Sequence, residues 1–288
     1  MLRIREEDLK EILPGNGPSI SEVKKYLEKY NNEYIVVKCG GSVLIDNNLF
    51  NIFCKNIVTL SKIGLIPIII HGGGKRISNK LNVLGIESSF IKGLRVTGEK
   101  IIKVVEDVLI EFNKEIVASL ERQNCKSQSI HTKENNILFV KKDSEELGFV
   151  GSPTEINKSI IKKIVNEKKV PVIAPLGLDL NNQIYNINAD TAAGSIAKKL
   201  KARRLIIMSD VKGVLDANNK LVTELNSNSI KKLIENKTIT GGMIPKINNC
   251  LDVASNGVKG VVIIDGRKNH SLLFELLSDK GSGTLIRQ

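Results

Sequence analysis

Two short apolar runs, each ending in a cluster of glycines, limit what this chain can fold into more than any other feature. Residues 34–38 read YIVVK and lead into Gly40 and Gly41, and residues 65–70 read LIPIII and lead into HGGGK at 71–75. An unbroken run rich in β-branched residues indicates a strand buried on both faces. Between the runs, Leu49, Ile52, Phe53, Ile57 and Leu60 recur at helical spacing, and Gly64 closes the segment. Strand, helix, strand makes a βαβ unit. Its right-handed crossover sets the two strands parallel, and ligands of such sheets sit beyond the strands' carboxyl ends, where both glycine clusters fall.

The alternation continues along the chain. The pattern predicts a helix from Glu99 to Gln123, a β-rich stretch from Ser129 to Val150, and strands at Val170 to Ala174, Leu205 to Ser209 and Gly260 to Ile264, with helices between them. Pro67 and Pro171 fall within predicted strands; lacking a ladder donor, they mark strand starts or edge positions. Ahead of all this, PGNGP at 14–18 is followed by Ser19 and Glu22 at capping-box spacing, with Ile20, Val23, Leu27 and Tyr30 on one helical face. That stripe either packs on its own domain or docks against another subunit. The expected fold class is α/β, a largely parallel central sheet with helices on both faces, preceded by an N-terminal amphipathic helix.

Several function classes are disfavoured. The start, MLRIREEDLK, is charged throughout and reads as no secretory signal, and no apolar stretch reaches membrane-spanning length. The expectation is a cytoplasmic protein with no membrane partner, organellar only if a transit segment has been trimmed. Cys39, Cys54, Cys125 and Cys250 show neither metal-ligand nor paired spacing and read as reduced thiols. The net charge of +12 comes from 43 basic and 31 acidic residues interleaved along the chain, which indicates solvated faces rather than a nucleic-acid surface. Such a field still helps to gather anionic small molecules.

The glycine clusters match neither familiar nucleotide loop. HGGGKR lacks the first glycine of a GxxxxGK[ST] loop and has Arg76 after its lysine, and no GxGxxG follows a strand. What remains is two glycine turns at strand ends, each able to bring backbone N–H groups close to anionic oxygens.

The order of six segments is more specific: KCGGS at 38–42, HGGGK at 71–75, GLRVT at 93–97, NINAD at 186–190, MSDVKGVLD at 208–216 and GGMIPK at 241–246. Over essentially everything from Tyr34 to Gln288 this series resembles the amino-acid kinase family, and GLRVT with NINAD resembles the branch that phosphorylates the side-chain carboxylate of N-acetyl-L-glutamate. The resemblance implies a kinase domain at 34–288, with an acyl-amino-acid lobe at 34–185 and a nucleotide lobe at 186–288, behind a 1–33 extension carrying an oligomerisation helix. It implies that Lys38 and Lys246 neutralise the transferred phosphoryl group and that Asp190 orients both lysines. The plainer alternatives are surface lysines and an N-cap role for Asp190. Arg95 is implied as the clamp on the substrate's other carboxylate, with a buried structural arginine as the alternative. Asn186, Asn188, Gly73 and Gly74 would complete that pocket. Lys75 stands where family members often carry proline. ATP is implied at Gly40 and Gly41, at Ser209, Asp210, Gly213 and Leu215, and at Thr238 and Thr240, Asp210 serving ribose or structure. Mg²⁺ is expected on the phosphates and water, with no dedicated protein ligand.

The C-terminal segment resembles the arginine-inhibited, hexameric branch, which also has an N-terminal helix. Glu275 and Gly281 would then bind arginine in a trimer of dimers, and a PII-type nitrogen sensor is a possible partner; an ordinary C-terminal helix ended by Gly281 is the alternative. Other open readings are a kinase for N-acetyl-aminoadipate or its carrier-linked form, a non-catalytic amino-acid sensor of the same fold, and a basic nucleic-acid binder.

Overall fold

The computed structural model describes residues 4–288, so Met1 to Arg3 of the expected extension lie outside it. An eight-stranded sheet runs through the chain in the spatial order Glu224–Leu225, Gly283–Ile286, Val261–Asp265, Arg204–Ser209, Tyr34–Cys39, Ile66–His71, Val170–Ile173, Ser127–Ile130. Its pairs are parallel except Val261–Asp265 with Gly283–Ile286. The βαβ unit forms as expected: Tyr34–Cys39, the helix Asn47–Lys62 capped by Asp46, then Ile66–His71.

Strand parity explains why the apolar runs are continuous. Val36, Ile68, Ile70, Leu205, Ile207, Val261 and Ile263 join the core on one face of the sheet. Their neighbours Ile35, Val37, Ile69, Ile206, Met208, Val262 and Ile264 join the core on the other. Both faces are covered, so both parities must be apolar. Helices Ala189–Leu200 and Met243–Ser255 cover the first face; Asn47–Lys62, Ser271–Leu277 and part of Glu99–Glu121 cover the second. The two prolines sit at strand starts inside the sheet rather than at its edge. Pairing between Ile66–His71 and Val170–Ile173 begins only at Ile69 opposite Val172, so Pro67 and Pro171 lie ahead of it.

The structure adds one element to the expected extension and decides between two pairs of open readings. The extension holds two helices, Glu6–Ile12 and Ile20–Tyr30, the first of which no apolar stripe announces, although its Leu9 is fully buried. The capping box of the second forms as expected, Ser19 with Glu22, a device worth about 1 kcal/mol. Its stripe, however, packs on this chain's own core: Val23 and Tyr30 are buried, and Ile20 and Leu27 pack beside them. Finally, Gly281 does not end a helix. The C-terminal helix stops at Leu277, and Gly281, at φ +61°, turns the chain into the strand Gly283–Ile286. All four cysteines are buried free thiols, and burial pushes the thiols up, Cys54 to about 11. Among the described residues no helix is long and apolar enough to cross a membrane.

Candidate active site

Lys38 is the last polar position of its strand and shares parity with Val36, so it points to the face covered by Ala189–Leu200 and Met243–Ser255. Both helices begin beside the strand's carboxyl end. Asp190 lies in the first turn of one and Lys246 in the first turn of the other, where Pro245 is tolerated because first-turn N–H groups have no intrahelical partner. The Asp190 carboxylate joins them: Oδ1 lies 2.9 Å from Lys38 Nζ, and Oδ2 accepts a hydrogen bond from Lys246 Nζ. Oδ1 receives no aligned hydrogen bond, so the Lys38 contact is charge pairing. Burial by itself raises the Asp190 pKa, but the two lysines outweigh it and hold the group at about 2.

The N-cap role, the plainer alternative for Asp190, falls to Asn188. Asn188 Oδ1 accepts the N–H groups of Asp190 at 2.9 Å and Thr191 at 3.1 Å, which frees the aspartate carboxylate for the lysines. Gly40 leaves room for the Lys38 ammonium in this position. A Cβ on it would stand 2.3 Å from Lys38 Nζ, so a side chain there would displace the ammonium.

Arg95 is carried by a two-residue hairpin, Phe90–Ile91 against Leu94–Arg95, whose turn residues Lys92 and Gly93 both have positive φ. Only 6% exposed, it donates to Ser78 Oγ at 2.8 Å, to the Gly74 carbonyl at 3.0 Å and to Ser88 Oγ, with the Phe90 ring 4.6 Å below. Burial draws its pKa down. No carboxylate pairs with it among the described residues, and three of its five N–H groups are used, leaving two for a ligand. Thr97 Oγ1 donates to the Arg95 carbonyl at 2.8 Å and accepts from Asn186 Nδ2 at 3.4 Å, which ties GLRVT to NINAD.

A cavity of about 270 Å³ is lined by Lys38, Gly40, Gly41, Gly73, Gly74, Arg95, Asn186 and Asn188. It meets a larger one, about 910 Å³, that reaches Asp190, Lys246 and Asn249; the two share Gly93, Leu94 and Asn188. Gly73 brings no capping side chain to the helix Gly74–Val83, so first-turn N–H groups remain available there. A separate cavity of about 360 Å³ gathers Gly213, Leu215, Thr238 and Thr240. Ser209 and Asp210 do not line it. Asp210 accepts the Ser42 N–H at 2.7 Å and faces Lys75 Nζ at 3.3 Å, so it holds the Gly40–Ser42 turn in place, the structural of its two expected roles. Sequence reasoning passed over Ser78, Ser88 and Thr97 around the arginine, and Asn249, which donates to the Asp190 carbonyl at 3.3 Å.

Away from this cleft, Glu275 and Gly281 come together, and the helix that carries Glu275 packs against Ile20–Tyr30. Glu275 accepts the Ser282 N–H at 2.7 Å, while Asp279 pairs with Lys25 at 2.6 Å and accepts from Tyr26 at 2.7 Å. Burial raises the Glu275 pKa, opposed by the Ser282 and Gly283 N–H groups and by Arg204 and Lys29.

The sequence pattern described as the Amino acid kinase family matches residues 33–265. The chain belongs to the amino acid kinase family. Over its whole length, and the whole of the other's, it is 64% identical to the acetylglutamate kinase of Pelagibacter ubique (strain HTCC1062). It is 44% identical to that of Campylobacter fetus subsp. fetus, over 91% of this chain and 94% of that one. Among solved structures it resembles an N-acetylglutamate synthase from Neisseria gonorrhoeae complexed with coenzyme A and N-acetyl-glutamate. The TM-score is 0.84 at 21% identity over 93% of this kinase-family chain, which spans 62% of the synthase. A Giardia lamblia carbamate kinase bound to AMP-PNP gives 0.67 at 13% identity, over 89% of this chain and 98% of that one. At such identities these two establish the fold alone.

Proposed function

We propose that this chain transfers the γ-phosphoryl group of ATP to the side-chain carboxylate of N-acetyl-L-glutamate, giving N-acetyl-L-glutamyl 5-phosphate for arginine biosynthesis in the cytoplasm. The observation that carries this reading is a paired charge arrangement: Asp190 braces Lys38 and Lys246 at one end of a cleft, and Arg95 offers unpaired N–H groups at the other. The kinases at 64% and 44% identity support the same choice.

A carboxylate oxygen of the acceptor attacks the γ-phosphorus, the bond to the bridging oxygen breaks, and ADP leaves with its electron pair. The acceptor is already ionised near neutral pH, since its ordinary pKa is about 4.3, so no general base is needed. Phosphoryl transfer asks for positioning and charge stabilisation. Lys38 and Lys246 supply fixed cations, and the first turn of Gly74–Val83 supplies N–H groups. Mg²⁺ would ride on ATP phosphates and water and offset their charge, because both cleft carboxylates, Asp190 and Asp210, are already held by lysines. Arg95 would attract the α-carboxylate by its charge and through the Nε–H or the second Nη1–H, the two donors it does not already use, assisted by Asn186, Gly73 and Gly74. The base and ribose of ATP would lie along Gly213, Leu215, Thr238 and Thr240, making residues 186–288 the nucleotide lobe and 34–185 the acyl lobe.

An ATP-coupled assay with N-acetylglutamate, glutamate and N-acetyl-aminoadipate tests the substrate. N-acetylglutamate should be turned over far faster than the other two, and a preference for N-acetyl-aminoadipate would overturn the assignment. Arginine in the same assay tests the further proposal that it inhibits through Glu275 and Gly281, with sedimentation reporting whether the chain forms hexamers. Any inter-subunit helix contact must use a face other than the one Val23 and Tyr30 bury.

Arg95→Lys keeps the charge but loses the planar fork. The KM for N-acetylglutamate should rise about 10-fold or more while that for ATP stays within about 2-fold. An equal rise in both would place Arg95 outside the acceptor pocket.

A further inference from the structure

The glycine turn on the acceptor side rests on a buried polar chain beneath the sheet. Ser129 Oγ donates to Asn113 Oδ1. Asn113 Nδ2 donates to the Val172 carbonyl at 3.0 Å and stands 3.1 Å from His71 Nε2. His71 Nδ1 in turn lies 2.9 Å from the Gly72 carbonyl. His71 and Asn113 are wholly buried, and the imidazole and Phe112 rings stand perpendicular with centroids 5.1 Å apart.

The protons in this chain are fixed by its ends. A backbone carbonyl only accepts, so the Asn113 atom facing Val172 is the NH₂ group. That group also faces His71, whose Nε2 must therefore accept. The imidazole proton then sits on Nδ1 and donates to the Gly72 oxygen. Burial supports the neutral ring, drawing the His71 pKa down to about 4.

The Gly72–Gly73 peptide is thus held from one side. Gly72 N–H donates to the Cys39 carbonyl at 2.8 Å, and its own carbonyl is drawn to the imidazole. In a trans peptide the carbonyl and the following N–H point in opposite directions, so fixing the Gly72 oxygen against His71 directs the Gly73 N–H away from it. Gly72, Gly73 and Gly74 line the cleft that holds Arg95. The turn is also closely packed: a Cβ on Gly73 would stand 2.5 Å from Leu109 Cδ2, so one of the two would have to shift.

We infer that His71 is a positioning residue for the acceptor: through its Nδ1–H tautomer, set by Asn113, it orients the glycine turn that binds the carboxylate substrate. This rests on the proposed kinase reading for the identity of the acceptor, but the tautomer stands on the hydrogen-bond chain alone. The chain has three histidines, so solid-state ¹⁵N spectra of histidine-labelled full-length protein can be assigned by the loss of the His71 signals in His71→Asn. The expected result is a neutral ring protonated at Nδ1 at any pH between about 6 and 8. A proton on Nε2, or a ring that becomes charged near pH 6.5, overturns the inference.

Kinetics supply the second readout. His71→Asn keeps a donor at the Nδ1 position, whereas His71→Gln moves the amide to the Nε2 position and loses the Gly72 bond. Losing one well-aligned hydrogen bond should raise the acceptor KM in His71→Gln by about 10-fold, with the KM for ATP within about 2-fold, and His71→Asn should recover most of it. If both variants lose activity in step with their melting temperatures, His71 only fills the core and the positioning role is wrong. The acceptor in these measurements is whichever one the wild type phosphorylates. Failure on N-acetylglutamate therefore overturns the substrate assignment, and failure of the split overturns the role of His71.

Discussion

Replacing Lys246 or Lys38 with alanine should lower kcat by roughly 10²-fold or more, the usual consequence of removing one preorganised group that faces developing charge. The effect belongs to the transition state because both ammonium groups are already braced by Asp190 and need not reorganise when charge builds on the phosphoryl oxygens. KM values should move much less. The two lysines act through one carboxylate, so their losses should not multiply: the double variant should fall well short of the product of the single effects. Initial-rate measurements on the two single variants and the double variant check both statements. Near-normal turnover in either single variant would remove that lysine from the chemistry, and fully multiplicative losses would show that the two act independently. Gly40→Ala offers a milder version of the same test, because it keeps both lysine side chains and displaces only the Lys38 ammonium.

The sheet was legible because its signal is local. YIVVK and LIPIII carry their strand preference in their own residues, and the glycines after them fall at the carboxyl edge by topology. The lysine and arginine positions came from resemblance, since no spacing in the sequence could say that residues 38, 190 and 246 meet. Their meeting depends on strand parity and on two helices starting at one sheet edge. What stayed open or unseen belongs to tertiary packing. An amphipathic stripe at 20–30 shows that a face will be covered but not by what, and here the chain's own core covers it. Thr284, Leu285 and Ile286 are too few to announce a strand, and they become one because Val261–Asp265 leaves an edge to be paired. Ser78, Ser88, Asn113 and Ser129 gave no signal at all, and His71 stood in HGGGK without a role, because ordinary polar residues acquire one only from what folds against them.

Asp190→Asn is the sharper probe of the charge arrangement, because it keeps the shape of the side chain and removes only its charge. Two ammonium groups that shared a carboxylate would then face each other in a site where Lys38, Lys246 and Asp190 are all less than a fifth exposed. Breaking a largely buried ion pair by removing one partner costs roughly 3–5 kcal/mol, and the partial exposure here places the expected loss toward the lower end. Turnover should fall as far as in the lysine variants, since neither cation is held in position. The dependence on pH follows from the depressed pKa of Asp190, about 2 against its ordinary 3.8. A carboxylate whose folded pKa lies below its unfolded one contributes stability above the unfolded value and loses it as pH falls toward the folded one. The gap in stability between wild type and variant should therefore be constant from about pH 8 to pH 5 and close below about pH 4. ATP adds the missing negative charge, so it should raise the melting temperature of the variant more than that of the wild type. Thermal unfolding across this pH range, with and without nucleotide, measures both effects. A gap that widens in acid, or a variant that nucleotide does not preferentially restore, would mean that Asp190 supports the helix turn rather than balancing the two lysines.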